Sequence, residues 1–183
     1  MASLSPPASL KDGVIAIRPW RQPDLPHLAD LLEDSAIARW TGIPAPYTRR
    51  EAKLFFKTNA RQEAMGVGTD SAIVDAADDD LLGGVGLKLH PAHSTAEVGY
   101  WVAAHARRRG IATRAVRLMA RWAFGDLEVM RLELLTHVGN EASEGVARRC
   151  GFQREGLLRS ARVMKGERVD LTLFSLLPDE LVL

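Results

Sequence analysis

The chain carries a single cysteine, Cys150, among its 183 residues. No intramolecular disulfide can form, and the composition fits a reducing compartment. An excess charge of either sign is also missing. Lys and Arg total 24 against 23 Asp and Glu, leaving a formal net charge of +1. That balance argues against a general nucleic-acid binder, which needs a broad basic face. No apolar run approaches the ~20 residues of a membrane-spanning helix. Tyrosine occurs only at Tyr47 and Tyr100, so chemistry that needs a phenol has two positions to draw on. The opening stretch MASLSPPASLKDG has no basic n-region and no apolar h-region, so no signal peptide is expected there. Its Ser, Pro and Ala content reads as a flexible lead-in over residues 1–12. A single domain is expected over residues 13–183, in a cytoplasmic protein.

What the chain does have is concentrated between Glu97 and Phe124. Tyr100, Trp101 and Val102 close a β-rich run. Ala106 to Gly110 forms a basic turn with three consecutive arginines. From Ile111 the apolar residues Ala115, Leu118, Met119, Trp122 and Ala123 recur at helical spacing. A strand entering a helix through such a turn can hold an anion, because the first helical amides lack partners and carry partial positive charge. Gly110 permits close backbone approach, and Arg107 to Arg109 supply fixed charge. The bland alternative is a solvated basic triplet.

The order of residues extends this reading. Arg107-x-x-Gly110-x-Ala112 resembles the pyrophosphate loop of the GNAT superfamily of N-acetyltransferases. Three later stretches resemble the RimJ/RimL branch: Asn140 to Ser143, Gly151 to Gly156, and Gly166 to Asp170. The match runs from about Val14 to Leu177. The resemblance implies an α/β fold of α+β sandwich type: a mixed, mostly antiparallel sheet of about six or seven strands flanked by about four helices. It also implies transfer of an acetyl group from acetyl-CoA to a primary amine in a ternary complex, without a metal. The acceptor expected from that branch is a protein or peptide α-amino group. A small amine, a succinyl donor, and a non-catalytic acyl-CoA-binding or interaction module are the alternatives. No membrane or specific nucleic-acid partner is expected, and dimers are frequent in the branch.

By the same resemblance, cofactor contacts fall on Trp101, Val102, Arg107, Arg108, Arg109, Gly110, Ile111, Ala112, Thr113, Asn140 and Ser143. Ser143 takes the place near the sulfur that many relatives give to a tyrosine after the short helix. Arg162 occupies the position where some branch members carry a glutamate, so the base stays open: Glu97 on the central strand is one candidate, with a structural role for that carboxylate and a water relay from backbone groups as the alternatives. Arg114 likewise departs from a glutamate common after the loop. Trp40 and Tyr47 are candidate acceptor contacts, with core packing as the competing role.

Elsewhere the patterns are weaker. Val14 to Ile17 reads as the first strand, and Asp24 as the cap of a helix to about Glu33. Thr48-x-x-Glu51 has capping-box form, and Trp40 to Tyr47 reads as loop. Asp78 to Asp80 reads as a solvated turn, and His90 and His93 as surface residues. Gly83 to Gly86 lies inside a strand pattern, so close backbone approach or a bulge is expected there. Glu141 to Arg149 reads as a short helix, and residues 153–176 as a hairpin turning at Lys165-Gly166. Arginines beside Cys150 would lower its pKa, but its place before Gly-Phe argues for packing.

Overall fold

The computed structural model describes residue 4 and residues 10–181. In chain order the elements are β1 Ile15–Pro19, α1 Asp24–Leu31, α2 Ser35–Trp40, α3 Arg49–Met65, β2 Gly68–Asp75, β3 Leu81–His90 and β4 Thr95–Val102. They continue with α4 Ile111–Gly125, β5 Arg131–His137, α5 Glu141–Arg149, β6 Gln153–Met164 and β7 Glu167–Leu176. The strands form one sheet in the order β1-β2-β3-β4-β5-β7-β6. All pairings are antiparallel except β4 with β5. This is the α/β sandwich expected, with one more helix than the pattern predicts.

That helix is α2, six residues capped by the Asp34 carboxylate, which accepts the Ala36 N–H at 2.8 Å. Six residues are too few for a hydrophobic period to show. Asp24 does not cap α1. It is the first helical residue, and its carboxylate takes the Arg21 N–H and the Arg18 guanidinium. The capping box of α3 forms as expected between Thr48 and Glu51. The acidic turn differs from its solvated reading, since Asp79 is clamped by Arg18 and Arg21 at 2.8 Å each. Residues 10–12, counted with the flexible lead-in on sequence, are anchored. Leu10 is buried, and Asp12 pairs with Arg114 at 2.7 Å. The rest of that lead-in, apart from the buried Leu4, lies outside the described residues.

Alternation along β4 assigns the two faces of the sheet. Ala96 and Val98 enter the main core with the buried stripe of α4 (Ile111, Ala115, Val116, Leu118, Met119, Trp122). Trp101 points the other way, stacked on Trp20 at 6.3 Å within the cluster under α1 and α3. Helix α4 is held by its buried face, each large side chain contributing about 1.5–3 kcal/mol relative to exposure. Its N-cap, Gly110, offers no side-chain bond. The helix therefore keeps its leading amides available.

The expected close approach at the glycines of β3 is present. A β-carbon on Gly83 would lie 2.3 Å from the Trp101 carbonyl oxygen, and one on Gly84 would lie 2.5 Å from Trp101 Nε1. The motif acids of the C-terminal hairpin are structural. Glu155 is held at about 2 by Arg131 and by the Ser175 hydroxyl, which ties β6 to β5 and β7. Asp170 accepts the Ser160 N–H at 2.7 Å, fixing the irregular stretch between Leu158 and Arg162. The tip then folds back over α2, where Lys165 donates to the Ala38 carbonyl.

Candidate active site

Strands β4 and β5 pair only at Thr95 to Glu97 with Arg131 to Glu133. Beyond that they diverge. Residues 98–102 of β4 and 134–137 of β5 then wall a cavity of about 680 Å³. On that side β4 has no strand partner, so its main-chain groups face the gap. A parallel pair can splay in this way because no tight turn joins its two strands.

The basic turn closes one end of the cavity. Arg108 and Gly110 both have positive φ, 60° and 77°. The first bond within α4 runs from Arg114 N–H to the Gly110 carbonyl at 3.1 Å, so the amides of Ile111, Ala112 and Thr113 lead the helix. Arg108, Gly110, Ile111, Ala112 and Thr113 all line the cavity. Two arginines differ from expectation. Arg107 lines the cavity, but its guanidinium is bonded to Asp34 at 2.5 Å and to the Val102 carbonyl at 3.2 Å. Arg109 turns away toward Asp75 at 3.7 Å and does not line the cavity. Arg149, from the last turn of α5, joins this end, with Nε 3.4 Å from Thr113 Oγ1. Sequence reading misses it because 36 residues separate it from the loop.

At mid-cavity, Asn140 caps α5 by accepting the Ser143 N–H at 3.1 Å. Ser143 Oγ meets Tyr100 Oη at 2.8 Å. Burial pushes the Tyr100 phenol up to about 12, against the lowering effect of the Ser143 bond. The phenol therefore stays neutral at ordinary pH and keeps its proton. The chain has no tyrosine after its short helix, yet a phenol arrives at the serine from β4. The buried Thr136 hydroxyl, also on the cavity wall, has no partner among the described residues. Cys150 lies behind this region, its thiol donating to the Thr113 carbonyl at 3.5 Å. Burial raises it to about 11 and outweighs the neighbouring Arg117 and Arg149. Cys150 is therefore a packing residue, as its place in the motif implies.

The opposite end belongs to α2 and the hairpin. Trp40 lines the cavity, edge-on to His137 at 6.0 Å and with Arg39 over its ring at 4.6 Å. Tyr47 does not line it. It is buried with Leu28, Leu32, Ile37 and Ala52, so the packing role is the observed one. Glu97 also stays outside the cavity wall, with both oxygens engaged by Arg162. A carboxylate whose lone pairs hold a guanidinium is poorly placed to take a substrate proton. Glu97→Gln is accordingly expected to keep kcat within about threefold and to loosen the hairpin, which steady-state rates and a melting curve would read. Asp70, which sequence reading passed over, does line the cavity.

This sheet, split at β4 and β5 and closed by a helix N-terminus, defines an acetyltransferase architecture. The family model described as Acetyltransferase (GNAT) domain matches residues 15–153, and the chain belongs to that family. Its relatives include YdaF of Bacillus subtilis, provisionally named a ribosomal N-acetyltransferase, 38% identical over 104 residues. That alignment covers 56% of this chain and 57% of YdaF. The ribosomal-protein-serine acetyltransferase of Escherichia coli is 29% identical over 103 residues, covering 56% of this chain and 58% of that protein. The chain thus matches little more than half the length of these curated relatives. In overall shape it matches RimL, the ribosomal L7/L12 α-N-protein acetyltransferase in complex with CoA. The TM-score is 0.84 at 20% identity, over 95% of this chain and 98% of RimL, which is a likeness of fold.

Proposed function

We propose that this chain transfers an acetyl group from acetyl-CoA to the α-amino group of a protein or peptide, by direct attack in a ternary complex. The observation that carries the reading is a single continuous cavity. It joins the leading amides of α4 at one end to the Tyr100–Ser143 pair in the gap between β4 and β5. An acyl-CoA has matching parts, with a pyrophosphate, an amide-bearing arm and a thioester spaced along its length. The names of the curated relatives support the acceptor class, and the CoA held by RimL supports the donor.

On this reading the pyrophosphate sits on the amides of Ile111 to Thr113, beside Arg108 and Arg149. The arm runs along the free edge of β4 at Trp101 and Val102, with Asn140 and the unpartnered Thr136 hydroxyl beside it. Holding both reactants in one slot is the largest part of the catalysis. Ser143 donates to the sulfur as the carbon–sulfur bond breaks, and Tyr100 donates to Ser143 in turn.

A thermal-shift titration with acetyl-CoA, CoA, succinyl-CoA and ATP tests the donor, and thiol release with peptide amines and polyamines tests the acceptor. Ligand at a hundred times its Kd stabilises a fold by about 2.7 kcal/mol, which is readily seen. The expected result is stabilisation by the CoA compounds and thiol release with peptide amines. No shift at millimolar CoA compounds would overturn the cofactor assignment. Binding without thiol release across the amines would leave an acyl-CoA-binding module.

A further inference from the structure

Asp70, Gly86 and Gly99 lie in register across β2, β3 and β4. Residues paired in this way share a face of the sheet, here the face of Trp101, opposite to α4. Two glycines in one row leave a track without side chains. The Asp70 carboxylate lies down along it: a β-carbon on Gly86 would come within 2.4 Å of Asp70 Oδ1. At Gly99 a β-carbon would meet nothing within 4 Å, so the track opens into the gap where β4 leaves β5. Two strand spacings, about 10 Å, separate Asp70 from Gly99, and the aspartate side chain covers part of that distance.

Among the described residues, neither carboxylate oxygen of Asp70 accepts a hydrogen bond, and no basic side chain pairs with it. Its main chain is fixed instead by Asn59, which bonds both the Asp70 N–H and carbonyl, at 2.7 and 2.8 Å. The titratable groups facing it are Glu63 from α3 and the buried Tyr47 from the loop before α3. Glu63 is held by Asn59 and Thr69, so it stays in place as a second negative charge. From β3 and β4 only glycines face it along the row. Farther along the same face, Glu97 is already neutralised by Arg162. The cavity thus carries Arg108 and Arg149 at the α4 end and, toward β2, a carboxylate with which Arg162, itself paired to Glu97, forms no contact.

Resting on the acetyl-transfer reading above, we infer that Asp70 binds the acceptor's ammonium group and takes its proton. The ammonium gives one proton to the carboxylate and becomes a neutral amine. Its lone pair then attacks the thioester carbonyl, a carbon–nitrogen bond forms and the carbon–sulfur bond breaks. The second nitrogen proton is shed as the amide forms, and one proton reaches the thiolate through Ser143. Asp70 returns its proton to water, so each turnover releases one proton net. Burial and the Glu63 charge raise Asp70 to about 6, a value suited to a base at neutral pH. His137 also lines the cavity and is its rival for this role, although its Nε2 sits 3.0 Å from Met164 Sδ.

The test compares wild type, Asp70→Asn and His137→Asn with acetyl-CoA and the tripeptide amide Ser-Ala-Ala. In Asp70→Asn, kcat/KM at pH 8 is expected to fall about thirtyfold, and the limb of the wild-type pH profile near 6 to vanish. Acetyl-CoA affinity should be unchanged. The melting temperature at pH 8 should hold or rise, because the substitution removes an unpaired charge. A second arm needs no turnover: calorimetry of the same tripeptide on the CoA-loaded protein, where Asp70→Asn should bind at least tenfold more weakly. Equal tripeptide binding in the two proteins would overturn the inference, as would a pH limb that survives in Asp70→Asn and disappears in His137→Asn. Failure of the acetyl-transfer reading looks different: wild type would bind no CoA, or would bind it and release no thiol.

Discussion

Gly110→Glu should weaken acetyl-CoA binding at least a hundredfold while leaving the protein folded. Gly110 has φ of 77° at the N-cap of α4, and a β-carbon there meets nothing within 4 Å. The cost to the fold is therefore backbone strain alone, on the order of 1–2 kcal/mol. The cost to binding is larger. The new carboxylate would stand where the pyrophosphate is proposed to sit, competing for the amides of Ile111 to Thr113. Two unit charges 4 Å apart at an effective dielectric of 20 repel by about 4 kcal/mol. A hundredfold loss needs only about 2.7 kcal/mol. Calorimetric titration of CoA into wild type, Gly110→Ala and Gly110→Glu separates the two costs. The alanine variant carries the strain without the charge and should lose only a few-fold. Equal affinity in wild type and Gly110→Glu would place the cofactor elsewhere.

The second large effect concerns the hydroxyl pair. Ser143→Ala is expected to lower kcat about a hundredfold, at the lower end for a positioned acid because a thiolate leaves readily. Tyr100→Phe should lower it about tenfold, since Ser143 keeps its own proton but loses the donor behind it. The double variant should be no slower than Ser143→Ala alone, because the phenol acts through the serine and not on the sulfur. KM for acetyl-CoA should change little in all three. Additive losses in the double variant would mean that Tyr100 reaches the substrate independently. Full kcat in Ser143→Ala would remove the acid role from the serine. Because burial keeps the phenol protonated up to about 12, the Tyr100 contribution should be flat from pH 6 to 9.

The order of these elements was legible without coordinates because each rests on local chemistry. The helix from Ile111 shows a buried stripe at its own period. Thr48 and Glu51 close their capping box within a single turn. Gly110 stands where a left-handed residue must lead a helix, and Asn140 caps α5 three residues before Ser143. In such cases the partners are within a few residues of each other, so sequence spacing is nearly a distance.

Where partners are far apart in the chain, spacing says nothing, and the site readings that went astray were of this kind. Glu97 looked free to act as a base, yet the hairpin brings Arg162 to it across 65 residues. Arg109 looked like a cofactor ligand, yet a left-handed turn at Arg108 sends it toward Asp75. Tyr47 suited the core better than the site, and α1 and α3 do close over it.

The amino-acid sequence by itself determined the fold family, the glycine-led basic turn before α4, and the serine at the head of α5, because these depend on periodicity, capping and backbone freedom within short windows. Only the tertiary structure decided which charges are neutralised and which are left over. It paired Glu97 with Arg162, delivered the Tyr100 phenol to Ser143, and laid the Asp70 carboxylate unpaired along a glycine track. Charge compensation acts through space over a few ångströms, and only the register of the sheet decides which distant residues come that close.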